Sequence, residues 1–184
     1  SLARAFHSTR LRVYRSRDVA GVELGGALKN VIAIASGIVD ALGYGDNAKA
    51  SILTRGLAEM TRLGVAAGAE PSTFYGLAGA GDLVATSYAP RSRNRRLGEL
   101  LGRGVALDEA LATLAETAEG VVTTPAALVL ARRHGVEMPI AEGLSGILAG
   151  TSSPAEVVRS LMERESGPEL PEGIASLAAS GGAG

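Results

Sequence analysis

The sequence predicts an all-α domain, and three observations carry the prediction. Apolar residues recur at helical spacing, as in Leu53, Leu57, Met60 and Leu63. Helix-start signals precede several stretches, among them Thr124-Pro125 and the capping box Ser153-Pro154-Ala155-Glu156. Aromatic residues make up only 3% of the 184 residues while glycine and alanine abound, so close packing of helices through small side chains is expected.

The elements follow in order. Residues 1–18 read as a connector with one short strand near 10–15, where Arg10-Leu11-Arg12-Val13-Tyr14 alternates. A lone strand is unstable, so its partners are expected outside this sequence. From about Val19 to Leu42 apolar residues occupy every face, which predicts a long buried helix closed by Gly43-Tyr44-Gly45. Asp46 or Asn47 can cap the next helix, which runs to about Ala67, with Gly68 past its end. Residues 70–81 read as a glycine-rich loop, followed by a short helix from about Asp82. Ser92 can cap a helix from Arg93 to about Leu101, and another spans roughly Leu107 to Glu116. Thr124 and Pro125 open a helix to His134, although the pattern already turns helical near Glu119. Pro139 begins a helix to about Ala149, and the capping box opens a last one to about Arg164. The domain is thus bounded at 19–166, and 167–184, rich in Pro, Gly, Ala and Ser, reads as a mobile tail.

Composition excludes several function classes. A net charge of −1 and a short basic run without interleaved aromatics argue against nucleic acid as a partner. Cysteine is absent, which removes disulfides, thiolate zinc sites and thiol nucleophiles. His7 and His134 lie too far apart in sequence to suggest a metal site. The apolar run 31–39 is too short to cross a bilayer, which needs ~20 residues, so no membrane insertion is expected. No secretory signal is visible after Ser1, and a reducing cytoplasm is the expected location.

The chemistry concentrates in four places. Lys29 lies in Gly25-Gly26-Ala27-Leu28-Lys29-Asn30, directly before the apolar run. Burying an unpartnered ammonium costs several kcal/mol, so Lys29 must reach water, pair with an anion or lower its pKa. Asn30 is adjacent and can flank the same cleft. Gly76-Leu77-Ala78-Gly79-Ala80-Gly81-Asp82 is a glycine-rich turn that can present N–H groups to an anion, without the spacing of a dinucleotide fingerprint. Asp82 there either caps a helix or serves a site. Arg91-Ser92-Arg93-Asn94-Arg95-Arg96 combines a capping serine, an amide and guanidinium forks, the chemistry of a phosphate seat or of a solvated basic turn. Glu119-Gly120, after Thr117, offers a carboxylate that can hold a ribose hydroxyl, pair with an arginine or simply start a helix.

These segments, in this order, resemble the C-terminal domain of bacterial NAD(P)-dependent glycerol-3-phosphate dehydrogenase. The stretches that carry the resemblance are Asp18 to Glu23, Gly25 to Val31, Gly45 to Ala50, Gly76 to Leu83, Ser92-Arg93-Asn94 and Glu119-Gly120. The resemblance implies a compact helical domain of the 6-phosphogluconate-dehydrogenase C-terminal type, with the strand near 10–15 belonging to a nucleotide-binding domain absent here. It implies interconversion of dihydroxyacetone phosphate and sn-glycerol 3-phosphate with NAD or NADP, feeding phospholipid synthesis, and an inactive fragment without that domain.

By the same resemblance Lys29 would exchange the proton. Lys29, Asn30, Asp82, Thr86, Ser92, Arg93 and Asn94 would contact substrate, and Arg93, Thr117 and Glu119 would reach the cofactor. Arg95, Arg96 and Tyr44 keep a structural reading. Ala80 stands where the family often has a bulkier apolar residue, a packing variation. A homodimer is compatible. The alternatives are a related 6-phosphogluconate or hydroxyacid-type dehydrogenase domain, against which Ser92-Arg93-Asn94 argues, and a non-catalytic helical dimerisation module.

Overall fold

The computed structural model describes residues 6–114 and 117–163. The elements are α1 (Val19–Ala41), α2 (Gly45–Ala66), α3 (Pro71–Tyr75), a π-helical turn (Leu77–Gly81), α4 (Asp82–Tyr88), α5 (Arg93–Gly102), α6 (Leu107–Leu114), α7 (Glu119–His134), α8 (Pro139–Leu148) and α9 (Pro154–Glu163). The tail expected over 167–184 and the last turn expected for α6 lie outside the described residues.

The core is built around α1. Every residue from Asn30 to Val39 is buried, and α1 packs most extensively on α5, then on α2, α7 and α4. The run 31–39 alone is too short for a bilayer, yet the whole of α1 is long and apolar enough, by length and composition, to cross one. In this fold 61% of its most apolar window is buried inside the bundle, as the centre of the core. Its start is fixed by Asp18, whose carboxylate accepts from the Gly21 amide at 2.8 Å, a cap, and also from the Glu70 amide and the Thr73 hydroxyl. That staples the entry of α1 to the start of α3. The Thr73 hydroxyl first, then the Gly21 and Glu70 amides, hold the Asp18 carboxyl below its ordinary pKa.

Small residues let the backbones meet. A Cβ on Gly98 would lie 2.0 Å from the Ile34 carbonyl oxygen and 3.0 Å from the Gly37 Cα. Asn30 meets Asn94, Ile34 meets Gly98 and Ile38 meets Gly102, so α5 runs in the same sense as α1. The end of α2 follows expectation: Gly68 takes φ 92°, and Ala69 and Gly68 donate back to the Gly64 and Val65 carbonyls. Ser153 and Glu156 exchange hydrogen bonds as the capping box at α9 requires.

Four expectations are corrected. The segment near 10–15 carries no regular structure, because a strand needs a partner to pair with. The stretch 70–81 is not a loop but α3 and the π-helical turn, the latter continuous with α4. Tyr44 stands at the cap position of α2, so neither Asp46 nor Asn47 caps it, and Asp46 instead lies in the first turn. Thr124 and Pro125 lie inside α7, which starts at Glu119. The Thr124 hydroxyl donates to the Gly120 carbonyl at 2.6 Å, and Pro125 is accommodated in the helix interior rather than at its first position.

Candidate functional site

The site assembles where α1 passes from partly exposed to buried. Lys29 occupies that boundary, with its side chain 19% exposed, and its Nζ donates to Asp82 Oδ2. Of the three outcomes open to a lysine in this helix, pairing with an anion is the one realised. Asp82 sits in the first turn of α4 but makes no capping bond, so its carboxylate is committed to Lys29. Its other oxygen accepts from the Thr86 hydroxyl one turn later, at 3.3 Å. The backbone that delivers Asp82 rests directly on α1, since a Cβ on Gly25 would lie 2.5 Å from the Ala78 carbonyl oxygen.

The glycine-rich turn itself does not offer an anion cradle. The Gly79 and Gly81 amides both donate to the Gly76 carbonyl, so those donors are spent within the turn. Its role is to present Asp82.

Beside the ion pair runs an amide chain. Asn30 Nδ2 donates to the Gly26 carbonyl at 3.2 Å and to Glu119 Oε2 at 3.0 Å. Asn30 Oδ1 accepts from Asn94 Nδ2 at 2.9 Å, and Asn94 Oδ1 accepts from the Gly120 amide at 2.9 Å. Three helices are locked by two buried asparagines. Both N–H groups of Asn30 are thereby committed, whereas Asn94 keeps one.

Two helix N-termini converge on this chain, those of α5 and α7. Ser92 caps α5 by accepting from the Arg95 amide at 3.3 Å. Arg93 is exposed at the first position of α5, directly before Asn94. Glu119 and Thr117 are exposed at the start of α7, with the Glu119 carboxylate oriented by Asn30. Aligned peptide dipoles leave such ends partially positive, and they favour an anion.

Six of the expected residues fall into two hydrogen-bonded groups. Lys29, Asp82 and Thr86 form one, and Asn30, Asn94 and Glu119 the other. The Asn30–Asn94 bond brings the neighbours Lys29 and Arg93 to the same level of the bundle.

Sequence reasoning missed a polar cluster close by. Arg95 is not a solvated surface residue: its Nε donates to Asp40 at 3.0 Å and its Nη2 pairs with Glu99 at 2.8 Å. Asp40 also accepts from Lys49 Nζ at 2.6 Å. The only hint in the sequence is that charged Asp40 ends the long apolar run.

Comparison with known proteins identifies the family. The family model described as NAD-dependent glycerol-3-phosphate dehydrogenase C-terminus matches residues 18–159. The chain is 56% identical over 163 residues to glycerol-3-phosphate dehydrogenase [NAD(P)+] 1 of Salinibacter ruber, covering 89% of this chain and 48% of that protein. It is 54% identical over 168 residues to the Streptomyces griseus glycerol-3-phosphate dehydrogenase [NAD(P)+], covering 91% and 50%. The crystal structure of glycerol-3-phosphate dehydrogenase from Coxiella burnetii superposes with a TM-score of 0.85 at 44% identity, covering 89% of this chain and 50% of that one. The chain spans about half the length of the curated relatives it matches. These matches set aside the 6-phosphogluconate-type alternative.

Proposed function

The chain belongs to the family of NAD-dependent glycerol-3-phosphate dehydrogenase C-terminal domains, and from that membership we propose that it supplies the substrate-binding and proton-transferring half of such a dehydrogenase. The reaction is the interconversion of dihydroxyacetone phosphate and sn-glycerol 3-phosphate. The observation that carries the reading is the Lys29–Asp82 pair set beside the capped N-terminus of α5, with Asn30 and Asn94 tying the two together.

In the reducing direction negative charge develops on the ketone oxygen. The Lys29 ammonium stabilises that charge and then delivers its proton, and in the oxidising direction the amine accepts it. Asp82 keeps the ammonium directed, and Thr86 keeps Asp82 directed. The phosphate, remote from the reacting carbon, is gripped by the Arg93 fork and the N-terminal amides of α5, with Ser92 and the remaining Asn94 N–H at its edge. Because both Asn30 N–H groups are committed and its Oδ1 accepts from Asn94, its part is to brace Glu119 and Asn94.

A nicotinamide cofactor, NAD or NADP, supplies or takes the hydride when bound. The donor set at the rim fits the edge of such a molecule: a guanidinium at Arg93 suits a phosphate, and Glu119 with Thr117 suits ribose hydroxyls. The rest of its site belongs to a nucleotide-binding domain, so this polypeptide by itself is inactive in the proposal. A cytoplasmic location and a homodimer belong to the same proposal.

The test is Lys29→Ala in the full-length protein. Turnover should fall by about 10²–10⁴, the range of acid–base catalysis, while glycerol 3-phosphate still binds. Turnover unchanged at saturating substrate, with only affinity lost, would contradict the proton-transfer role.

A further inference from the structure

We propose that Lys49 is a positioning residue for the phosphate-gripping turn, acting through Asp40 and Arg95; this rests on the reading of Ser92, Arg93 and Asn94 given above. The Lys49 side chain is only 4% exposed. Its ammonium lies 2.6 Å from Asp40 Oδ2 and 4.2 Å from the centre of the Tyr88 ring. The same Asp40 oxygen accepts from Arg95 Nε at 3.0 Å.

Each of the three charges stands at the unfavourable end of its own helix. Asp40 is in the last turn of α1, where the peptide dipoles are negative; Lys49 is near the start of α2 and Arg95 in the first turn of α5, where they are positive. Arg95 also has a partner in its own helix, Glu99 one turn on. The bonds of Lys49 and Arg95 to Asp40 run between helices.

Those contacts reach three of the helices that carry the candidate site, α1, α4 and α5. Asp40 is on α1 with Lys29. Tyr88 closes α4, which begins with Asp82. Arg95 follows Asn94, and its amide is the one that Ser92 caps. Pinning the Arg95 side chain toward Asp40 fixes the rotation of α5 about its axis. Arg93, two residues earlier and so about 200° around the helix, is directed to the opposite side. A buried ammonium that holds the shared Asp40 oxygen in place thus sets the direction of a guanidinium it never touches.

The test is steady-state kinetics on the full-length protein. Lys49→Met, which keeps the stem and removes the charge, should raise the KM for glycerol 3-phosphate about tenfold while kcat changes less than about threefold. Lys49→Arg, which can reach Asp40 and stack on Tyr88, should recover most of that loss. If Lys49→Met does not fold, Arg95→Gln cuts the same link on a more exposed residue and should give the same split.

Unchanged KM in Lys49→Met and Arg95→Gln, alongside a raised KM in Arg93→Lys, overturns the positioning role and leaves the phosphate-grip reading standing. Unchanged KM in Arg93→Lys as well overturns both. A fall in kcat with KM intact, or no recovery in Lys49→Arg, also overturns the proposal.

Discussion

Arg93 and Lys29 illustrate how differently two cations act. Lys29 is paired with Asp82, and in the proposed reading its task is to carry a proton to a defined atom. Arg93 stands at the mouth of a helix, where in the proposed reading a planar fork and first-turn backbone amides face one phosphate together. Lysine offers only a point charge in that position. Arg93→Lys in the full-length protein is therefore expected to raise the KM for glycerol 3-phosphate by about tenfold with a smaller effect on kcat. Initial-rate measurements check this, and equal constants for the two proteins would refute the assignment. At this scale much of the site was legible in the sequence. An ammonium set just before nine apolar or small residues has few physical options, and Ser92-Arg93-Asn94 is a capping signal carrying its own forks. Asp40, Lys49 and Arg95 were not legible, because nothing along the chain says that positions 40, 49 and 95 share an oxygen atom. Nor could spacing show that the Asn30 amide would be spent on Gly26 and Glu119.

The elements hold those residues in register through close backbone contact. α5 lies against α1 so tightly that Gly98 has no room for a methyl group, with the Ile34 carbonyl in the way. Exchanging glycine for alanine in a helix ordinarily adds stability, by up to about 1 kcal/mol. At this position the overlap should outweigh that gain, and Gly98→Ala is expected to destabilise by about 1–3 kcal/mol, the usual cost of overpacking. Denaturant unfolding would register it as a lower midpoint, and a midpoint equal to or above the wild type would show that α5 can slide to accommodate the methyl. Several helix starts and stops were readable: Ser92, Gly68 and Ser153 act at the termini expected of them. The failures share a cause. Thr124-Pro125 looks like a start only if the preceding turn is not already helical, and packing of Gly120 on Asn30 makes it so. The glycines of 76–81 suggested a loop, yet without side chains they can also fold into a π-helical turn pressed on α1.

At the scale of the whole molecule, one buried carboxylate ties two distant helices together. Glu59 of α2 accepts from the Ile140 and Ala141 amides and so serves the start of α8 from another helix. Burial pushes its pKa up to about 7, against the pull of those two amides. Between its ordinary value of 4.5 and about 7, the folded chain keeps a proton that the unfolded chain has released. Stability must then fall as pH rises through that window, by ~3 kcal/mol at 1.36 kcal/mol per pKa unit. Glu59→Gln, which retains an acceptor for Ile140, should lose this slope. Unfolding free energies of the two proteins at pH 5 and pH 8 give the comparison, and parallel profiles would contradict the shift. The helical class was evident from composition and periodicity, whereas this long-range cap was not, since residues 59 and 140 are far apart in the chain. The division of α1 into a partly open first half and a wholly enclosed second half has a consequence for turnover. On the proposed reading, a molecule docked at Lys29 would meet the enclosed interior on one flank and the open half of α1 on the other. Ligand exchange and structural integrity would then draw on different stretches of one helix.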